Sequence, residues 1–109
     1  MRAASVAAAA AILALTGCGG GSTPPRHHVH LTALERRGKA TFIYTCGVCH
    51  TLADAGTSGS AGPAFTSPLT ASRVREAIAD GSSGMPANLV TGPSAAEVAA
   101  YVAAATKGS

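Results

Sequence analysis

Cys46-Gly47-Val48-Cys49-His50 sets two thiols three positions apart and places an imidazole directly after the second. Three chemistries draw on such a set. Thiols at this spacing can form thioethers to the two vinyl groups of a haem while the adjacent imidazole ligates the iron, and C-x-x-C-H is the attachment signature for c-type haem. A Cys-x-x-Cys pair can also exchange with disulfides, but that chemistry belongs to a βαβ setting, and no strand pattern appears in the chain. A structural zinc site needs four ligands, and beyond Cys46, Cys49 and His50 only a distant His is on hand. Covalent haem is the reading that the full C-x-x-C-H pattern favours.

The composition points the same way. In 109 residues there are two Phe, two Tyr and no Trp, so few of the large side chains that dominate burial are present. Domains below roughly 80 residues commonly need a disulfide, metal or cofactor as a staple. A large apolar macrocycle supplies the missing bulk, and covalent attachment retains it in a domain too small to enclose it.

The elements around the motif begin with a targeting segment. Met1 and Arg2 precede a mostly apolar run, Ala3 to Leu15. This matches the charged start and short apolar stretch of an export signal, and it falls short of the roughly 20 apolar residues of a membrane span. Leu15-Thr16-Gly17-Cys18 resembles the lipobox of bacterial lipoproteins, which implies a signal peptide over residues 1–17 and a lipid on the Cys18 thiol. The alternative is an ordinary cleavage site with an incidental Cys. Two or three acyl chains anchor stably where one is marginal, so the expected location is extracytoplasmic, on the periplasmic side or outer face of the cytoplasmic membrane. Gly19 to Arg26 reads as a spacer within a linker of residues 18–30. His27, His28 and His30 follow without a Cys or carboxylate to complete a metal site, and are read as solvated.

A helix is expected from Leu31 to Thr45, opened by Thr32 and Glu35 as a reciprocal cap, with Leu34, Gly38 and Phe42 on one face. Thr51 to Pro68, with four Ala, three Gly and three Ser, reads as an irregular loop. A short helix follows over Ser72–Asp80, with Val74, Ala77 and Ile78 on one face and Gly81 as its stop. A second loop, Ser82 to Pro93, holds Met85-Pro86, and Ser94 with Glu97 is expected to cap a last helix running to about Thr106. The fold class expected is all-α: one unit of about three helices over residues 31–109, with long loops wrapped around a single haem. Loops longer than roughly 12 residues are uncommon in small domains unless functional or disordered.

With these elements placed, Leu31 to Ala105 resembles the class I monohaem cytochromes c. The pentapeptide carries most of the resemblance. Gly38, Phe42 and Tyr101 match the family's packing of the haem-binding helix against the last helix, and Gly62-Pro63 matches its Gly-Pro after the haem His. The resemblance implies that the Pro63 carbonyl accepts the imidazole Nδ1 hydrogen, a bond that orients a ligating His and raises its basicity. It also implies a Met as the second axial ligand. Met1 leaves with the signal, so Met85, in Gly84-Met85-Pro86 between the last two helices, is the candidate. The sequence departs from better-known members in lacking Trp, in its shorter length and in having Phe65 where Leu is frequent.

With both axial positions filled by protein atoms, the resemblance implies one-electron transfer and no enzymatic turnover. The expected partners are an electron donor such as a quinol-oxidising complex and an acceptor such as a terminal oxidase or another dehydrogenase. A peroxidase or gas-sensing domain with an open sixth iron position is the alternative, and it requires Met85 to be off the iron. Removing Arg2 leaves seven Lys and Arg against five Asp and Glu, which two haem propionates neutralise; there is no basic block, and nucleic acid is not an expected partner. Arg73 and Arg75 are propionate candidates, with a solvated helix face as the simpler reading. The domain is expected to act as a monomer.

Overall fold

A computed structural model describes residues 29–108. The signal segment, Cys18, the spacer, His27 and His28 lie outside the described residues.

The first helix, α1 (Ala33–Thr45), starts where the sequence places its cap. The Thr32 hydroxyl accepts from the Glu35 N–H at 3.2 Å and the Glu35 carboxylate accepts from the Thr32 N–H at 2.7 Å, so two free backbone donors are satisfied reciprocally. A second helix, α2 (Ala71–Asp80), begins one residue earlier than expected because Thr70 is its cap, accepting from the Arg73 N–H at 3.2 Å. It ends at Gly81, whose φ of 65° is open to glycine at little cost.

The last helix, α3 (Gly92–Thr106), departs from expectation at its start. Ser94 is not the cap. Pro93 occupies the first turn, where its fixed φ fits and its missing N–H costs nothing, so the helix begins upstream of Ser94 with Thr91 at the boundary and no side-chain cap bond. Glu97, freed from capping, accepts from Arg37 Nε of α1 at 2.8 Å.

α1 and α3 cross at Gly38, where a Cβ would run into the Glu97 carbonyl and come within 2.9 Å of the Tyr101 Cβ. That close approach lets Phe42 and Tyr101 meet edge to face, with centroids 5.8 Å apart and planes at 64°. Both rings are buried, and such pairs are worth roughly 0.5–1.5 kcal/mol beyond the area they bury. Leu52, Ile78, Val98 and Val102 complete the core. Leu34 does not join it. It is 41% exposed, because a crossing at Gly38 covers the turns next to it and not the first turn of α1.

The region expected to be irregular contains a small antiparallel pair, β1 (Thr51–Leu52) and β2 (Thr57–Ser58), in register Thr51 to Ser58 and Leu52 to Thr57. Two residues per strand are too few to show an alternating pattern. The turn between them carries Asp54, whose carboxylate accepts from the Tyr101 hydroxyl at 2.7 Å and pairs with Lys39 at 3.1 Å. Burial pushes the Tyr101 phenol far above its ordinary range, and Asp54 reinforces the shift through that hydrogen bond and its charge. At the far end of α3, the buried Thr106 hydroxyl donates to the Val102 carbonyl and accepts from the Leu69 N–H, fixing the chain as it enters α2.

Candidate haem site

The Cys46–His50 segment continues α1 as a tight turn. The N–H groups of Cys46 and Gly47 both donate to the Phe42 carbonyl, at 2.9 and 2.7 Å, and those of Cys49 and His50 both donate to the Cys46 carbonyl, at 3.0 and 2.9 Å. The turn thus inherits its position from Phe42, one of the two rings at the helix crossing. The Thr57 hydroxyl of β2 donates to the His50 carbonyl at 2.8 Å, which gives the small β pair its place in the site.

The chain then returns beneath the imidazole. The Gly62 N–H donates to the Cys49 carbonyl at 2.8 Å and the Phe65 N–H to the Thr51 carbonyl at 2.9 Å, so residues 62–65 are held at both ends. Between those ties, the Pro63 carbonyl lies 2.8 Å from His50 Nδ1. A carbonyl only accepts, so Nδ1 carries a hydrogen and Nε2 is the nitrogen left to ligate a metal. A Cβ at Gly62 would fall within 2.8 Å of Nδ1 and 3.0 Å of Nε2; only glycine leaves room for the ring.

Met85 sits on a turn after α2. Ser82 and Met85 exchange both backbone bonds, at 2.9 and 3.0 Å, around Gly84 at φ 86°, the positive value a type II turn requires at its third position. The Asn88 N–H donates to the Ile78 carbonyl at 2.7 Å, with Asn88 at φ 55°, and draws the loop back to the end of α2. Met85 is partly buried and packs against the core.

These segments enclose one cavity of about 450 Å³, within the range of small-molecule and cofactor sites. Cys46, Cys49 and His50 line it together with Met85, and Phe42, Phe65, Leu69, Val74, Ile78 and Val90 give it an apolar wall. The donor set fits a c-type haem: two thiols, an imidazole whose Nδ1 is already bonded and a thioether share one lining with an apolar wall. Burial, and to a lesser degree neighbouring Cys49, pushes the Cys46 thiol above its ordinary value. That is the reverse of the lowered thiol pKa on which dithiol exchange relies. Among the described residues no group of three or more His, Cys, Asp and Glu side chains gathers as a metal cluster, so the zinc reading lacks its donors.

Of the residues singled out from sequence, Cys46, Cys49, His50, Pro63 and Met85 all reach this cavity. Arg73 is on its rim, in an exposed pair with Glu76 at 3.3 Å, whereas Arg75 is exposed on the helix and absent from the lining. His30 lines a separate shallow depression with Arg36 and Lys39 and is not among the residues of the haem-sized cavity. The sequence reading gave Thr57, Asp54 and Leu69 no role. Their roles are contacts between segments far apart in the chain, for which local sequence carries no signal. Phe65 was visible only as an unusual residue type; in the structure it stacks on His50 with centroids 4.7 Å apart and planes inclined by 22°. No helix among the described residues is long and apolar enough to cross a membrane.

Residues 33–103 match the family described as cytochrome c oxidase, cbb3-type, subunit III. Among solved structures, the c-type cytochrome SorU from Sinorhizobium meliloti is similar at 34% identity and a TM-score of 0.60, over 67% of this chain and 91% of that one. No curated protein sequence matches. The match extends over well over half of the chain and takes in α1, most of α3 and every cavity segment, so this chain belongs to the cbb3-type subunit III family of c-type cytochrome domains.

Proposed function

We infer that this chain, as a member of a c-type cytochrome family, carries a covalently bound haem c and transfers electrons through it. We propose that this domain is a one-electron carrier holding a single haem, with His50 and Met85 as axial ligands and Cys46 and Cys49 as the points of attachment. The observation that carries the reading is one apolar cavity onto which all four of these side chains open, with His50 Nδ1 already bonded to the Pro63 carbonyl.

The haem, when bound, supplies a one-electron couple at its iron. The protein's own residues do the rest. Cys46 and Cys49 would hold the group as thioethers, one to each of its two vinyl positions. Pro63 holds the Nδ1 proton of His50 and keeps the imidazole electron-rich. The Met85 thioether is a soft ligand that favours the reduced iron and raises the potential relative to two imidazoles. The apolar wall formed by Phe42, Phe65, Leu69, Val74, Ile78 and Val90 would keep water from the part of the group it covers. With Met85 bound, no position is left for oxygen or peroxide, which sets this reading apart from a peroxidase or gas sensor. The near-infrared band of Met-to-ferric-iron ligation tests it: the band is expected in the oxidised protein, and a high-spin spectrum without it contradicts His/Met ligation.

The proposal extends to location and partners. Cys18, in its lipobox-like context, is the site of a lipid that tethers the domain outside the cytoplasmic membrane through the Gly-Ser-Pro spacer. Electrons then pass from a donor such as a quinol-oxidising complex to an acceptor such as a terminal oxidase or a dehydrogenase, the oxidase being the partner class the family description suggests. Cys18→Ser is expected to move the protein from the membrane to the soluble fraction; retention in the membrane contradicts the lipid anchor.

A further inference from the structure

The His50 imidazole is held at more of its surface than ligation requires. Its Nδ1 edge is bonded to Pro63 at 2.8 Å, Gly62 lies against its Cε1 corner, and the Phe65 ring covers one face at 4.7 Å and 22°. Phe65 is itself wedged. Its ring is 6.0 Å from that of buried Phe42, at 56°, and its N–H is tied to the Thr51 carbonyl at 2.9 Å. The stack is therefore built on the helix crossing through Phe42.

We propose that Phe65 is a positioning residue that sets the plane of the His50 imidazole. The proposal rests on His50 being an axial ligand. A hydrogen bond at a ring edge leaves the ring free to rock about the axis through that bond, whereas a flat group on its face does not. An aliphatic side chain of similar volume fills the space without offering a face, so Leu at this position removes the clamp while keeping most of the packing. The plane of an axial imidazole decides which iron d orbital holds the unpaired electron of the ferric state, and the paramagnetic shifts of the haem methyl groups report that plane.

The test is proton NMR of the ferric holoprotein, with ¹⁵N-labelled His, for the native chain, Phe65→Leu and Phe65→Tyr, alongside thermal melting of each. The native protein is expected to show cross-relaxation between the Phe65 ring and the His50 imidazole. Phe65→Leu is expected to change the order or spread of the haem methyl shifts, and Phe65→Tyr, which keeps the flat face, to restore the native pattern even where its melting temperature differs. Native methyl shifts in Phe65→Leu, with only a lowered melting temperature, overturn the proposal and make Phe65 a packing residue. Absent cross-relaxation in the native protein overturns it whatever the variants do. If His50 shows no strongly shifted imidazole signals at all, it is the reading of His50 as ligand that fails, and the proposal falls with it.

Discussion

The two sides of the cavity are built differently. On the His50 side, the ligand turn hangs from the Phe42 carbonyl, is strapped by Gly62 and Phe65, receives a hydroxyl from Thr57, and backs onto a helix crossing that only Gly38 permits. On the Met85 side, a four-residue turn and the bond from Asn88 to Ile78 hold the loop, and its neighbour Leu89 is 47% exposed. The first side draws contacts from α1, α3 and the small β pair; the second draws on the end of α2. A covalent site needs its thiols and imidazole in one fixed arrangement, whereas a thioether ligand has three rotatable bonds and tolerates an adjustable support. Damage to the His50 side is therefore expected to cost the fold, and damage to the Met85 side to cost the spectrum.

The largest effect is expected from replacing Cys46 and Cys49 together by Ser. With four aromatic residues in the chain and the macrocycle no longer attached, the domain is expected to lose essentially all of a stability typically about 5–15 kcal/mol, leaving a largely unfolded product by circular dichroism. A folded, haem-free double variant breaks the comparison. Next comes Gly38→Ala, which forces a methyl into the Glu97 carbonyl; overpacking of this kind costs about 1–3 kcal/mol, and in a domain of this size each kcal/mol lowers the midpoint of a thermal melt by about 4–8 °C.

Met85→Ala probes the other side. It is expected to lose the near-infrared band and to admit carbon monoxide to the reduced iron, at a stability cost of about 1–2 kcal/mol because Met85 is only partly buried. Unchanged carbon monoxide binding removes Met85 from the iron, and a cost above that of Gly38→Ala reverses the comparison.

The smallest effect is expected at the Tyr101–Asp54 contact. Tyr101→Phe leaves Asp54 its pairing with Lys39 and is expected to cost about 1 kcal/mol at neutral pH. Its pH dependence is more specific. The phenol is held protonated in the fold, with its pKa raised above the ordinary 10.0, so the stabilisation is complete below pH 10 and is lost as the pH climbs beyond it. Native stability measured by denaturant is expected to fall above pH 10, and Tyr101→Phe is expected to lose that part of the fall.

What the sequence revealed of this architecture divides along the same line as range of interaction. The capping box at Thr32 and Glu35, the stop at Gly81 and the C-x-x-C-H turn are settled within five residues, and each is found where local chemistry puts it. The error at Ser94 is also local: a Ser with a Glu three residues later imitates a cap, but Pro93 had already fixed the first turn. Leu34 continues a helical stripe that the crossing does not reach, and helical spacing alone cannot say where a partner helix stops. The Tyr101–Asp54 bond, across 47 positions, and the stacking of Phe65 on His50 depend on segments brought together only by folding. Candidate ligands were thus legible as residue types, while the cavity that unites them was not.

On the reading proposed above, a haem joined to Cys46 and Cys49 fills the cavity that His50 and Met85 also line. Intact-mass measurement of the purified, exported protein under denaturing conditions tests it most directly. The expected result is a polypeptide heavier by one haem, with neither Cys46 nor Cys49 reactive toward alkylating reagents. An unmodified polypeptide in which both thiols alkylate freely contradicts it.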